Sequence, residues 1–158
     1  MTTDGTVRVT GQVSIDRSQF WVQDCDPWPD AVKEPADSLE VDVEHPVAVG
    51  YGRAYFLSNA QDHECTISLE LCPLPPMYLD DQWAELGSWH FRTRDGDIRV
   101  YTISGPDGPR LQLSEDSCYT LHAFRKGGET ARARFDAARS TGVIPGDLEE
   151  YLIAFTPL

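Results

Sequence analysis

Ser88-Trp-His-Phe-Arg-Thr-Arg-Asp-Gly-Asp-Ile-Arg-Val-Tyr-Thr-Ile103 carries the clearest β signal in the chain. On both sides of Asp95-Gly96, apolar and polar residues alternate, and a period of two is the mark of a half-buried strand. Asp-Gly between two such runs favours a tight hairpin, because glycine takes positive φ without steric penalty and aspartate tolerates it. The alternation recurs upstream. Val7 and Val9 alternate with polar neighbours, and after Gly11 the pattern resumes at Val13 and Ile15, which suggests a bulge or turn at the glycine. Ser18 to Gln23 is rich in aromatic and β-branched residues, Ser38 to Glu44 places Leu39, Val41 and Val43 on one face, and Glu64 to Leu71 turns Cys65, Ile67, Leu69 and Leu71 inward. Val47 to Leu57, interrupted by Gly50 and Gly52, reads as one bent strand or two short ones.

Downstream, Gly105-Pro-Asp-Gly-Pro109 reads as a turn, Leu111 and Leu113 as a short strand, and Cys118 to Phe124 and Tyr151 to Phe155 as two more strands. Glu129 to Arg139 carries Ala131, Phe135 and Ala138 at helical spacing before Gly142, and reads as a short helix or an ordered loop. Many short strands with at most one helix give an all-β chain, a two-sheet antiparallel β-sandwich of jelly-roll or immunoglobulin-like type, forming one domain over residues 1–158. Residues 24 to 37 and 73 to 87 are the two long connections, where binding surfaces tend to lie.

The first residues have no basic segment followed by an apolar one, and nothing approaches the roughly 18 apolar residues of a membrane span. The cytoplasm is the expected compartment. Cys25, Cys65, Cys72 and Cys118 are accordingly expected as reduced, partly buried thiols rather than as disulfides. Charge is the most unusual bulk property: 26 acidic against 13 basic residues give a net −13, of which residues 1 to 91 carry −12. From Ala54 to Phe91 there is no lysine or arginine. Such a field repels a phosphate backbone, which disfavours direct nucleic-acid binding, and it attracts cationic proteins.

Candidate chemistry is sparse. His63 and Cys65 with Cys72, and Cys118 with His122, supply zinc ligand types, but their spacings fit no zinc template, and no metal or cofactor is expected. No Gly-x-Ser-x-Gly elbow or phosphate-binding glycine loop occurs, and Cys25 between Asp24 and Asp26 is poorly placed to ionise. Asp80-Asp81 and Asp95-x-Asp97 lack the pattern of a calcium loop. A non-catalytic role follows. Trp21 and Trp89 sit within strands and read as core, whereas Trp28 and Trp83 sit in the acidic connections. An indole ringed by carboxylates suits an interface to a basic partner, with Asp24, Asp26, Trp28, Asp30, Asp80, Asp81, Trp83 and Glu85 as the candidate contacts. The plainer alternative folds each of the two indoles back as a lid over the sandwich.

Three stretches resemble the family of competence protein J, small bacterial β-sandwich inhibitors of a DNA-entry nuclease: Val13-Ser-Ile-Asp-Arg-Ser-Gln-Phe-Trp-Val22, Leu111-Gln-Leu-Ser-Glu-Asp-Ser-Cys-Tyr-Thr-Leu121 and Glu150-Tyr-Leu-Ile-Ala-Phe155. They are strand patterns in the same order, so the resemblance implies a shared fold and, with it, a role as an inhibitor or immunity protein against a basic nuclease or toxin. It assigns no inhibitory residue. A small-molecule or carbohydrate-binding sandwich, using Trp28 and Trp83 as stacking platforms, is the alternative.

Overall fold

A computed structural model describes residues 4–25, 40–77, 79–143 and 145–158. Among them, one five-stranded sheet runs in spatial order β1 (Val7–Ile15), β5 (His63–Leu71), β10 (Gly146–Pro157), β9 (Cys118–Lys126) and β6 (Trp83–Arg92). The second runs β3 (Val47–Gly50), β4 (Arg53–Leu57), β2 (Gln19–Asp24), β7 (Asp97–Thr102) and β8 (Gly105–Gln112). One helix, α1 (Gly128–Arg139), lies between β9 and β10. The core is built from both sheets: Val13, Cys65, Ile67, Leu69, Leu121, Ile153 and Phe155 from the first meet Phe20, Val22, Phe56, Ile98, Val100 and Leu111 from the second. This is the all-β two-sheet sandwich that the alternating pattern implies.

Aromatic contacts tie the layers together. Phe20 and Phe56 stack with centroids 4.7 Å apart, and Tyr151 of the opposite sheet meets Phe20 edge-on at 4.8 Å. Tyr151 to Phe155 breaks the alternation because β10 is the central strand and is buried on both faces. β10 pairs antiparallel with β9 but parallel with β5, Ile153 lying opposite Leu69. The expectation of purely antiparallel sheets is therefore corrected. Strands β6 to β9 and α1 intervene between β5 and β10, so no tight turn dictates how the two must run.

The strongest local signal forms its turn but not its hairpin. β6 pairs with β9 in the first sheet, whereas β7 pairs with β2 and β8 in the second. Asp95-Gly96 is therefore a corner at which the chain changes sheets. Gly96 has φ 85°, and a Cβ there would overlap the Leu113 carbonyl, so the position requires glycine on two counts. Gly11 marks neither bulge nor turn: β1 passes through it in unbroken register with β5, and its missing side chain lets Pro109 of β8 approach. Val47 to Leu57 is two strands, β3 and β4, joined by a hairpin at Tyr51-Gly52.

Two further expectations change. Residues 40–46 are not strand: Asp42 Oδ1 accepts the His45 amide at 2.6 Å, closing a turn that leaves Val43 69% exposed; Ser38 and Leu39 lie outside the described residues. Residues 105–109 open β8 instead of forming the turn, which falls at Ile103-Ser104, with Thr102 opposite Gly105. Of the two readings of residues 129–139, short helix or ordered loop, the helix is the one present, as α1, with Ala131 fully buried, Phe135 half-buried beside it and Gly142 in the left-handed region.

Candidate partner-binding surface

Four of the eight candidate contacts come together at the start of β6, an edge strand. The Asp80 carboxylate accepts the Gln82 amide at 2.9 Å and its carbonyl accepts the Trp83 amide at 3.3 Å, so the turn that delivers the chain into the sheet is closed by Asp80 itself. Asp81 is exposed beside it. Trp83 opens the strand opposite Lys126, with Glu85 opposite Phe124. The Lys126 ammonium sits 5.9 Å from the Trp83 ring centroid and 3.7 Å from the Glu150 carboxylate. Asp80, Asp81 and Glu85 are exposed and Trp83 is half-buried, so one face of the indole is taken and the carboxylates stand in water.

Asp24 is not part of this surface. It is fully buried at the end of β2, and its Oδ2 accepts the backbone amides of Arg94, Asp95 and Gly96 at 2.8, 3.1 and 3.2 Å. Its carboxylate anchors the sheet-changing corner, a structural task that the surrounding run of acids hid. Asp26, Trp28 and Asp30 lie outside the described residues.

Neither strand tryptophan is fully buried. Trp21 stands on the outer face of the second sheet, stacked between Tyr55 at 5.1 Å and Tyr101 at 6.0 Å, and Trp89 is half-buried at the margin of the core. Next to this stack, Asp97 is clamped by Arg110 through two bonds of 2.6 and 2.9 Å and by Arg99 at 3.1 Å. Burial would raise the Asp97 pKa, but the two guanidiniums more than reverse it and hold the group below its ordinary value. Burial also raises the Cys25 thiol, which touches the Tyr101 hydroxyl at 3.6 Å, and raises Tyr101 to about 12.

No short window of the sequence hints at a buried polar cluster centred on Glu149. Glu149 of β10 accepts from the Ser58 hydroxyl, from the Tyr151 hydroxyl at 2.9 Å and from the Asn59 amide at 3.1 Å, with the Arg125 guanidinium 3.9 Å away. His63 Nε2 meets the same Ser58 oxygen at 2.8 Å. Serine, histidine and carboxylate are thus adjacent, but not in the order of a charge relay. In a relay the carboxylate orients the far nitrogen of the imidazole, whereas here Glu149 bonds the serine directly and lies 3.6 Å from the nitrogen that faces it. Ser58, His63 and Glu149 are each 3% exposed or less, so the group is a structural knot at the end of the sandwich beside α1.

His63 and His122 both lie below the ordinary histidine pKa of 6.5, in each case because burial disfavours the charged ring. Between 6.5 and the lower native value the unfolded chain binds more protons than the folded one, so stability falls as pH drops through that window. Urea unfolding midpoints are expected to decrease steadily from pH 7 to pH 5. The slope should shrink in His63→Gln.

All four cysteines are free, and among the described residues no three His, Cys, Asp or Glu side chains are grouped to hold a metal ion. No helix among them is long and apolar enough to cross a membrane.

The fold and this surface describe a two-sheet sandwich with an acidic, indole-bearing edge. No protein-family model matches the chain, and no curated protein matches it by sequence. Two solved structures share its fold. ComJ of Bacillus subtilis, described as an inhibitor of the DNA-degrading activity of NucA, superposes with a TM-score of 0.64 at 15% identity, covering 94% of this chain and 95% of its own. A protein described as crocagin biosynthetic gene J superposes with a TM-score of 0.60 at 8% identity, covering 97% of this chain and 98% of its own. At these identities the likeness establishes the fold. It also extends the three-stretch resemblance to nearly the whole chain: Val13–Val22 and Leu111–Leu121 are the crossings between sheets, from β1 to β2 and from β8 to β9, and Glu150–Phe155 is the central strand.

Proposed function

We propose that this chain is a non-catalytic protein-binding module that inhibits, or gives immunity against, a basic nuclease or toxin, with Asp80, Asp81, Trp83 and Glu85 on its contact surface. The observation that carries this reading is the exposed cluster of carboxylates around a half-buried indole on an edge strand. The fold shared with ComJ supports it. A nuclease must hold a polyanion and therefore presents cationic side chains at its substrate site. Carboxylates seated on those cations occupy the place of the phosphates, while the indole supplies buried apolar area at the centre of the contact. Asp26, Trp28 and Asp30 are kept as further candidate contacts on the strength of the sequence alone.

Charge reversal tests the idea. The triple variant Asp80→Lys, Asp81→Lys and Glu85→Lys is expected to slow association with the cationic partner by about 10- to 1,000-fold at low ionic strength, because steering by focused charge raises on-rates by that factor. The wild-type chain is expected to suppress the partner's DNA cleavage in proportion to complex formed. Surface-binding kinetics with a panel of cationic nucleases, together with a cleavage assay, provide both readouts. Absence of inhibition across the panel, or a triple variant that inhibits as well as the wild type, would overturn the reading.

A further inference from the structure

A second surface of the molecule has the opposite electrostatic character. Between α1 and the turns that follow β1 and β4 lies an open cavity of about 770 Å³, lined among others by Arg17, Leu57, Asn59, Arg132, Phe135 and Arg139. Three arginines on one cavity are unexpected in a chain that carries twice as many acidic as basic residues. All three are exposed, and none of their guanidiniums forms an ion pair with a described residue. By contrast, Arg8, Arg92, Arg99, Arg110, Arg125 and Lys126 all face a carboxylate within 4 Å. Those six basic groups neutralise acids of this protein, whereas no guanidinium of the cavity lies within ion-pair distance of a described carboxylate.

The polar side chains of the floor are already committed inward. The Ser58 hydroxyl bonds Glu149, and the Asn59 side-chain amide donates to the Gly128 carbonyl at 2.8 Å. A ligand entering the cavity meets the guanidiniums, whose planar forks fit the oxygens of a carboxylate or phosphate, the apolar surface of Phe135 and Leu57, and the Ser18 and Gln61 side chains. Glu129 and Asp136 also line the cavity, leaving it only one positive charge in excess. That balance, inside a molecule of net −13, rules against a polyanion and fits a ligand with a single anionic group.

We propose that this cavity binds a small molecule bearing one carboxylate or phosphate on an aromatic or aliphatic stem, with the oxyanion on Arg132, Arg139 and Arg17 and the stem against Phe135. The site shares no residue with the β6 contacts Asp80, Asp81, Trp83 and Glu85, so its failure or success is read independently of the partner-binding proposal.

Amide chemical-shift titrations of the full chain with phenyl phosphate, benzoate, inorganic phosphate and phenol test it. Phenyl phosphate or benzoate is expected to give saturable shifts at Asn59, Arg132 and Arg139, binding more tightly than inorganic phosphate or phenol, and to weaken as salt is added. The tighter of the two identifies the natural oxyanion as phosphate or carboxylate. The double variant Arg132→Ala and Arg139→Ala, at exposed helix positions where alanine favours the helix, is expected to weaken binding about 10-fold or more while keeping the wild-type fold. Absence of saturable shifts at low ionic strength, shifts confined to other regions, or equal binding by the double variant would overturn the assignment.

Discussion

Replacing Glu149 by alanine is expected to cost about 3–5 kcal/mol of folding stability, the range for removing one member of a buried charged network. The carboxylate is the hub of its cluster: its loss strands the Ser58 and Tyr151 hydroxyls, the Asn59 amide and the Arg125 guanidinium, all at the buried end of the sandwich. Ser58, Tyr151 and the Asn59 amide each lose an acceptor and Arg125 loses its counter-charge, so the penalty is that of several desolvated groups rather than of one bond. Glu149→Gln keeps an acceptor and the shape, and should recover part of the loss. Urea unfolding monitored through tryptophan fluorescence measures both. A Glu149→Ala midpoint within error of the wild type would show that the cluster contributes nothing to stability.

Asp24→Ala is expected to cost about 3 kcal/mol, for a similar reason at the other end of β2. Three backbone amides at the corner between β6 and β7 donate to one carboxylate oxygen, and bonds to a charged acceptor contribute roughly 1.5–3 kcal/mol each, though not additively. Alanine leaves those amides without their acceptor, the Gly96 amide in a buried position and the other two partly buried. The same substitution separates structure from recognition. At a temperature where the variant is folded, it should bind a cationic partner as the wild type does, whereas charge reversal at Asp80, Asp81 and Glu85 should impair binding without moving the unfolding midpoint. A variant at Asp24 that remained fully stable yet lost its partner would return this residue to the contact surface.

The contrast between Asp24 and Asp80 shows what the residue string can convey. Both stand in acidic stretches, and both close turns, but the groups that Asp80 holds are within three residues of it, while those Asp24 holds are 70 or more positions away. Local chemistry is legible and distant acceptors are not. Alternation revealed the strands because a period of two is a property of neighbours, and the spacing of Ala131, Phe135 and Ala138 revealed α1 in the same way. Asp95-Gly96 announced a turn correctly, but which strand each flanking run would join depends on β9, β2 and β8, none of which the dipeptide encodes. The pairing of Ser58 with Glu149 spans 91 positions, and the cavity beside α1 draws residues from four separate stretches. Neither leaves a pattern in any short window.

The parallel pairing of β10 with β5 has a consequence for biogenesis. Without β10 the first sheet is two separate pairs, β1 with β5 and β9 with β6, each with a raw edge where the central strand belongs. A chain in synthesis cannot close that gap until β10, which follows every other described strand, has been made, so the earlier strands must wait with those edges unpaired. A product truncated before Gly146 keeps both raw edges and is expected to aggregate, which its solubility against that of the full chain would check.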